Sequence, residues 1–140
     1  QVPYILMHMK GTPQSMKNEN KYKNMLQEIL FYFSEKIKTA RNLGINDLIL
    51  DPGFGFAKNI PQNFELMNQL ELFKNLDHPF LVGISRKSFI YKSLQTTPQG
   101  ALNGTTMLHT VSLMKGASIL RVHDVKEAVE CVKLYQQLKQ

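Results

Sequence analysis

The sequence predicts an α/β fold built on parallel strands. Two observations point to it: short, almost wholly apolar runs alternate with helical patterns, and the connections between them are short. Strands that are apolar on both faces are typical of parallel sheets covered by helices. Strict β-α alternation also predicts right-handed crossovers. With an apolar fraction of 43% over 140 residues, the chain is long enough for a sizeable core.

Four apolar runs are predicted as strands because each is short and nearly continuous. They read YILMHM, LIL, FLVGI and SILRV, at Tyr4–Met9, Leu48–Leu50, Phe80–Ile84 and Ser118–Val122. The first predicted helix runs from about Tyr22 to Leu43, and its apolar residues recur at three-to-four spacing. Gly44 follows as the expected C′ residue.

Three further helical stretches complete the units. They are predicted at about Gln62–Phe73, at about Thr105–Lys115 and after Asp124, with a shorter helical turn after Ser88. Asp124 suits an N-cap position. We expect the last helix to bury its apolar face, formed by Val125, Ala128, Val129 and Val132.

Four β-α units fit two architectures, an open doubly wound sheet or half of an eight-unit barrel of ~250 residues. Hydrophobic periodicity does not separate them. GxGxxG is absent after the first strand, as is GxxxxGK[ST], so the usual nucleotide-fold signatures are missing. The chain opens on Gln1 and enters a strand almost at once, as we would expect of the inside of a larger protein.

Composition narrows the classes of partner. The net charge is +6, but the lysines are scattered and no basic block is interleaved with aromatic residues, so we expect no nucleic-acid partner. No apolar stretch approaches the ~20 residues that span a bilayer, so we expect no membrane partner. The single cysteine, Cys131, excludes an internal disulfide and predicts a buried, inert thiol.

Polar or glycine-rich segments follow all four predicted strands. They read MHMKGTP, DPGFGFAKN, SRKSF and RVHD. In both candidate folds the carboxyl ends of the strands form the active-site face. We therefore expect one mouth to collect the polar side chains of Asp51, Arg86, Lys87, Arg121 and His123.

The segment DPGFGF predicts a slot for a flat, nitrogen-rich ring. Its glycines and proline hold a backbone that other residues would resist, and present Phe54 and Phe56 as apolar walls beside the carboxylate of Asp51. A carboxylate accepts two ring N–H groups, and rings stack on apolar faces. The alternative is a glycine-rich turn whose phenylalanines belong to the core.

The third and fourth segments suit an anionic ligand. Residues two apart on a strand share a face, so Arg121 and His123 should project together. Arg86 and the hydroxyls of SRKS suit phosphate or carboxylate, and Lys87 suits a ring carbonyl or nitrogen, with a solvated loop as the alternative. Met7 and Met9 alternate with a histidine, His8, that should face the other side.

Four blocks in this order, LMHMKGTPQSM, LDPGFGFAKN, LVGISRKSFI and GASILRVHDVKE, resemble the signature blocks of the dihydropteroate synthase family. The resemblance covers essentially the whole chain. It implies a single partial domain over residues 1–140, equivalent to strands and helices five to eight of a pterin-binding (β/α)₈ TIM barrel. It also implies a transferase of folate biosynthesis that condenses 6-hydroxymethyl-7,8-dihydropterin diphosphate with p-aminobenzoate and releases pyrophosphate.

The same resemblance implies roles for individual residues. The catalytic residues would be Lys87, Arg121 and His123, of which Arg121 and His123 hold the diphosphate. The residues that would bind the pterin are Asp51, Lys87, Met7, Met9, Phe56 and Gly55. The residues on the p-aminobenzoate side would be Phe56, Arg86 and Ser88.

Other implications concern what the first four units of such a barrel would supply. Mg²⁺ would accompany the diphosphate, and this chain would supply no metal ligand. Without the first four units, this fragment would be inactive. The family resemblance further implies a cytoplasmic homodimer that sulfonamides target. Two alternatives stay open: a non-catalytic half-barrel module that binds a pterin or an anion, and a pterin-dependent methyltransferase, which has no diphosphate to hold.

Overall fold

The computed structural model describes residues 2–11 and 20–139, and its elements follow the predicted alternation. The strands are β1 Tyr4–Met7, β2 Leu48–Asp51, β3 Leu81–Val82 and β4 Ile119–Leu120. The helices are α1 Met25–Asn42, α2 Ile60–Asn68, α3 Ser88–Ser93, α4 Leu102–Met114 and α5 Val125–Gln137, with 3-10 helices at Leu70–Leu76 and Gln99–Ala101. Within the described ranges, no helix is both long and apolar enough to cross a membrane.

The strands are parallel and adjacent in chain order. β1 pairs with β2 from Tyr4 opposite Leu48 to Met7 opposite Asp51, and β3 pairs with β4. The two pairs meet at a bridge between Leu50 and Phe80. All four carboxyl ends therefore lie along one edge. Three strands are shorter than predicted because the chain leaves the ladder where polar residues and glycine begin.

The helices cover one face of the strands. The five apolar positions whose spacing predicts α1 are all buried: Met25, Ile29, Phe33, Ile37 and Ala40. The Asn24 side chain caps the helix by accepting from the backbone N–H of Gln27 at 3.1 Å. Gly44 has φ +76°, which confirms it as the left-handed residue after the helix. The rings of Phe33 and Phe73 pack edge to face, with centroids 5.7 Å apart, beneath the strands.

The opposite face and the last helix are less covered. Ile5 is 49% exposed and Ile119 is 41% exposed. The predicted burial of α5 is wrong at Val125 and Val129, which are 64% and 46% exposed. The reason is that α5 packs against α4 through its buried side, which includes Ala128, so the described residues leave its flank open. Cys131 is buried there, as predicted.

Gly53 shows how tightly the loop after β2 approaches β1. Its φ is +71°, and a Cβ on it would collide with the carbonyl oxygen of His8. Gly44 has nearly the same backbone conformation, but nothing lies within 4 Å of its Cβ position. Comparing alanine substitutions at the two glycines therefore separates the cost of backbone strain from the cost of the steric contact.

We predict that Gly53→Ala destabilises the protein more than Gly44→Ala does. The left-handed backbone should cost either alanine roughly 1–2 kcal/mol. The collision at Gly53 should add roughly 1–3 kcal/mol, typical of overpacking. Urea unfolding of both variants measures the difference. Equal losses would show that the loop can move away from β1, contrary to this packing.

Candidate active site

The site is centred on Asp51, the last residue of β2. Its side chain is 1% exposed, and Oδ1 accepts the backbone N–H of Gly53 at 2.9 Å. Oδ2 lies 3.1 Å from Nη2 of Arg121 but accepts no hydrogen bond of good geometry from the part of the chain that the structure describes. A buried acceptor left unsatisfied is costly, so this oxygen is ready for an N–H donor of a ligand.

Arg121 reaches Asp51 by crossing the end of β3. A Cβ on Gly83 would lie 2.7 Å from Nη2 of Arg121, so the missing side chain of that glycine makes room for the guanidinium. The Arg121 side chain is still 52% exposed. It can therefore hold the carboxylate on one side and face an anion on the other.

Lys87 lies over the loop that follows β2. Its Nζ donates to the carbonyl oxygen of Phe54 and sits 4.7 Å from the ring centroid of Phe56, while its stem lies beside Gly55. Burial lowers the pKa of Lys87 to about 8, which Asp51 opposes and Arg121 reinforces. The ammonium is thus charged at neutral pH, yet gives up its proton more readily than an exposed lysine.

The phenylalanines of the loop have separate places. Phe54 is fully buried and stacks on Phe89 with ring centroids 6.1 Å apart, so the prediction that it walls a ligand slot is wrong. It fills the core beneath the loop, as the alternative reading of the motif had it. Phe56 is half-buried beside Lys87, and its role as a wall of the ligand slot stays a prediction.

Every nitrogen of the Arg86 guanidinium donates to a protein group. It has φ +54°, and Nε and Nη2 each donate to the Asp124 carboxylate at 2.8 Å. Nη1 donates to the carbonyl oxygens of Pro98 and Gln99. Asp124 stands at the predicted N-cap position of α5, but its side chain makes no capping bond, because it is committed to Arg86. The role of Arg86 toward p-aminobenzoate stays a prediction.

The remaining predicted residues surround this centre. His123 and Ser88 are exposed, and Met7 and Met9 are half-buried. His8 faces α1, as predicted from strand alternation, and its ring meets that of Tyr32 edge to face at 5.0 Å. The first segment also contains Thr12 and Pro13, which lie outside the described residues.

Ser85, which follows β3, makes a structural contact. Its hydroxyl oxygen accepts the backbone N–H of His123 at 3.2 Å, which fastens the end of β3 to the segment after β4. Within the described ranges, no group of three or more His, Cys, Asp or Glu side chains could hold a metal ion. Asp51 and Asp124 each face an arginine, so these carboxylates do not form a Mg²⁺ site on their own.

The sequence reasoning did not single out Lys58 or Asn63. Lys58 is 9% exposed and donates to the carbonyl oxygens of Gly53 and Phe56 at 3.0 and 3.1 Å. Asn63 is 2% exposed, and its Oδ1 accepts the N–H of Gly55 at 2.7 Å. The available signal for Lys58 was a charged residue two positions after a run of glycine and phenylalanine. Asn63 sits inside a helical pattern, where its side chain gave no signal.

The Arg86–Asp124 pair predicts an acid-dependent part of the stability. Hydrogen bonds from Arg86 hold the pKa of Asp124 below its usual value of 3.8. A carboxyl with a lowered folded pKa stabilises the fold above the unfolded value, and that contribution is lost as the pH falls through the folded value. We therefore expect Asp124→Asn to unfold at lower urea than the unchanged protein at about pH 6, and the gap to close below about pH 4.

A double-mutant cycle with Arg86→Ala checks that the effect belongs to this pair. The double variant should be little worse than the poorer single variant. The control is Glu130→Gln, which removes one partner of the exposed Lys126–Glu130 pair and should leave the unfolding midpoint unchanged. Additive losses in the cycle would contradict the coupling of Arg86 to Asp124.

Known proteins resemble this chain over nearly its whole length. Residues 1–123 match the family model described as pterin binding enzyme. The dihydropteroate synthase of Escherichia coli (strain K12) is 42% identical over 137 residues, covering 96% of this chain and 49% of that protein. The dihydropteroate synthase of Synechocystis is 43% identical over 135 residues, covering 94% of this chain and 47% of that protein.

Solved structures match the fold closely. The Yersinia pestis dihydropteroate synthase in a sulfonamide drug complex has a TM-score of 0.95 and 38% identity, covering 99% of this chain and 51% of that one. The Thermus thermophilus enzyme in complex with 6HMPPP has a TM-score of 0.93 and 32% identity, covering 97% of this chain and 55% of that one.

The chain thus spans about half the length of the curated relatives it matches. Because those neighbours are (β/α)₈ barrels, the predicted fold class, four β-α units of such a barrel, is confirmed. The family prediction is confirmed as well, since the family model covers most of the chain. The chain belongs to the family of pterin binding enzymes and is similar throughout to dihydropteroate synthases.

Proposed function

We propose that this chain supplies the C-terminal half of a dihydropteroate synthase. That enzyme condenses 6-hydroxymethyl-7,8-dihydropterin diphosphate with p-aminobenzoate and releases pyrophosphate in folate biosynthesis. One observation carries the proposal: the buried Asp51 carboxylate has an unsatisfied oxygen at a strand end shared with Lys87 and Arg121. The similarity to dihydropteroate synthases over 96% of the chain supports it.

The pterin would lie on Asp51. Its amino group and an adjacent ring N–H would donate to the carboxylate, and Lys87 would donate to the carbonyl side of the ring. Phe56, Gly55, Met7 and Met9 are half-buried or exposed near the ends of β1 and β2, where apolar contact with a flat ring is possible. Satisfying the buried carboxylate in this way would favour a nitrogen-rich ring over an apolar one.

The transfer step would need no covalent nucleophile from the protein. The amine nitrogen of p-aminobenzoate attacks the pterin methylene carbon as the bond from that carbon to the diphosphate oxygen breaks. The amine loses a proton, and pyrophosphate leaves with the bonding electron pair. Arg121 and His123, both exposed at the end of β4, would stabilise the charge that develops on the leaving group. Phe56 and Ser88 would contact p-aminobenzoate, as would Arg86 if it left its protein partners.

Several wider properties belong to the same proposal. Mg²⁺ would accompany the diphosphate, held mainly by that group and by residues outside this chain, because the local carboxylates face arginines. The complete enzyme would be a cytoplasmic homodimer, for which the exposed Met107 and Met114 on α4 offer apolar contact area. Sulfonamides would compete with p-aminobenzoate. Nucleic acids would not be partners.

A pterin-dependent methyltransferase and a non-catalytic pterin-binding module are the rival functions. The methyltransferase would have no diphosphate to bind, so the exposed pair of Arg121 and His123 at one strand end favours the synthase. The chain on its own would act as a non-catalytic module, because the inner face of its strands is partly open, as at Ile5 and Ile119. We propose that catalysis requires the complementary half of the barrel.

The test uses the complete enzyme, meaning this chain together with the segment that completes the barrel. Lys87→Ala and Arg121→Ala should each lower turnover at least about tenfold, which is roughly 1.4 kcal/mol of barrier. Lys92→Ala and Lys126→Ala remove exposed lysines from α3 and α5 and serve as controls that should keep full turnover. The chain alone should show none. Unchanged turnover in both site variants would remove these residues from the mechanism.

A further inference from the structure

Lys58 is the buried cation that the proposed mechanism does not use. Its Nζ donates to the carbonyl oxygens of Gly53 and Phe56 and lies 3.1 Å from Nδ1 of His8. Gly53 and Phe56 are the two ends of a tight turn, closed by the N–H of Phe56 donating to the carbonyl of Gly53 at 3.1 Å. We call residues 53–56 the ring loop. Lys58 joins both ends of the ring loop to the end of β1.

The ring loop determines where Lys87 lies. The carbonyl of Phe54 accepts from Nζ of Lys87, and the Phe56 ring lies under the ammonium. A Cβ on Gly55 would lie 3.3 Å from Cδ of Lys87, so the glycine leaves room for the lysine stem. Lys87 is therefore placed by its contacts with two residues of the ring loop and by the room that Gly55 leaves. Any movement of the loop away from β1 would move Lys87 relative to Asp51.

Burying a lysine at this position is energetically unfavourable. The hydrogen-bond acceptors around Nζ in the described residues are two carbonyls and an imidazole, none of which carries a negative charge. Burying an ammonium without a paired anion is unfavourable. The nearby charges that act on it are Asp51, which favours the charged form, and Lys87, which opposes it. A side chain held here against that cost needs a role beyond filling space.

We propose that Lys58, together with His8, is a positioning unit that holds the ring loop against β1 and so sets the place of Lys87 and Phe56 against the pterin ring. This role rests on the proposed function, because it concerns the same pocket. Lys58 touches no reacting atom in this account and acts through the loop.

The unit keeps its hydrogen bonds in either protonation state. Charged Lys58 donates three times, and His8 must then accept at Nδ1 and carry its proton on Nε2. Neutral Lys58 donates to the two carbonyls and accepts from His8, whose proton is then on Nδ1. His8 stays uncharged, because burial and then the charges of Lys58 and Lys10 lower its pKa to about 3. Among the described residues, Tyr22 and Tyr32 are the other polar side chains against its ring.

Proton loss from Lys58 should therefore change the tautomer of His8 and leave the ring loop in place. Burial lowers the pKa of Lys58 to about 7, with Asp51 opposing and Lys87 adding to the shift. In the complete enzyme labelled with ¹⁵N-histidine, the His8 ring should carry its proton on Nε2 below about pH 7 and on Nδ1 above it. This readout does not depend on whether the protein binds a pterin.

Two variants separate hydrogen bonding from charge. Lys58→Met keeps the stem but removes the donors. If the variant still folds, it should raise KM for the pterin diphosphate at least about tenfold. Lys58→Gln restores donors without a charge, and should recover most of that loss. Lys92→Met, on an exposed position of α3, is the matched control and should leave KM unchanged.

The outcomes are distinct. An unchanged protein that binds no pterin diphosphate would end the proposed function, whatever Lys58 does. Pterin binding with an equal KM in Lys58→Met would overturn the positioning role and leave the function standing. Should Lys58→Met fail to fold, the His8 ring of the unchanged protein decides at about pH 5, where Lys58 is charged: a proton on Nε2, with Nδ1 accepting from Lys58, supports the unit, and a proton on Nδ1 overturns it.

Discussion

A carboxylate is buried at the end of β2, and the residues around it are arranged to make that burial possible. The Asp51 side chain is 1% exposed, with one oxygen satisfied by the ring loop and the other near a guanidinium. Arg121 lies beside the carboxylate, and the charge of the carboxylate favours the protonated forms of Lys58 and Lys87. Lys58 and Lys87 would be costly to bury without this carboxylate, and the carboxylate would be costly to bury without nearby cations.

Parallel pairing brings these groups to one place. Asp51 stands opposite Met7 in the β1–β2 ladder, and the ladder of β3 and β4 continues the same edge. Glycines then permit close approach where side chains must cross. Gly53 lets the ring loop meet β1, and Gly83 lets Arg121 pass over β3. The site therefore depends on backbone contacts at the strand ends as much as on the polar residues themselves.

Much of this grouping could be predicted from the sequence, because the carboxyl ends of parallel strands meet at one edge. A polar residue within a few positions of the end of an apolar run lies near the carboxyl edge, which is why Asp51, Lys87 and Arg121 could be grouped before any contact was known. This rule does not say which partner each side chain takes. The sequence predicts a ligand contact for Arg86. In the structure its positive φ directs the side chain to partners that are far away in the sequence, the Asp124 carboxylate and the Pro98 carbonyl.

Burial inside a loop was equally hard to predict. Phe54 and Phe56 are two residues apart in a glycine-rich segment, yet one is core and the other is at the mouth. Lys58 resembles a solvated surface lysine in the sequence, and only the folded loop shows its three acceptors. The exposed flank of α5 was missed for a related reason, since a helical apolar stripe does not reveal whether this chain contains the surface that covers it.

The most direct test of the account is calorimetric titration of the complete enzyme with the pterin diphosphate, with and without Asp51→Asn. The substitution keeps the shape of the side chain but replaces one acceptor oxygen with a donor. We expect clear binding by the unchanged protein, unaltered binding by the exposed control Asp77→Asn, and a loss of at least about a hundredfold in Asp51→Asn, roughly 2.7 kcal/mol. Equal binding by Asp51→Asn, with cooperative unfolding retained, would contradict the claim that this carboxylate forms the pterin site.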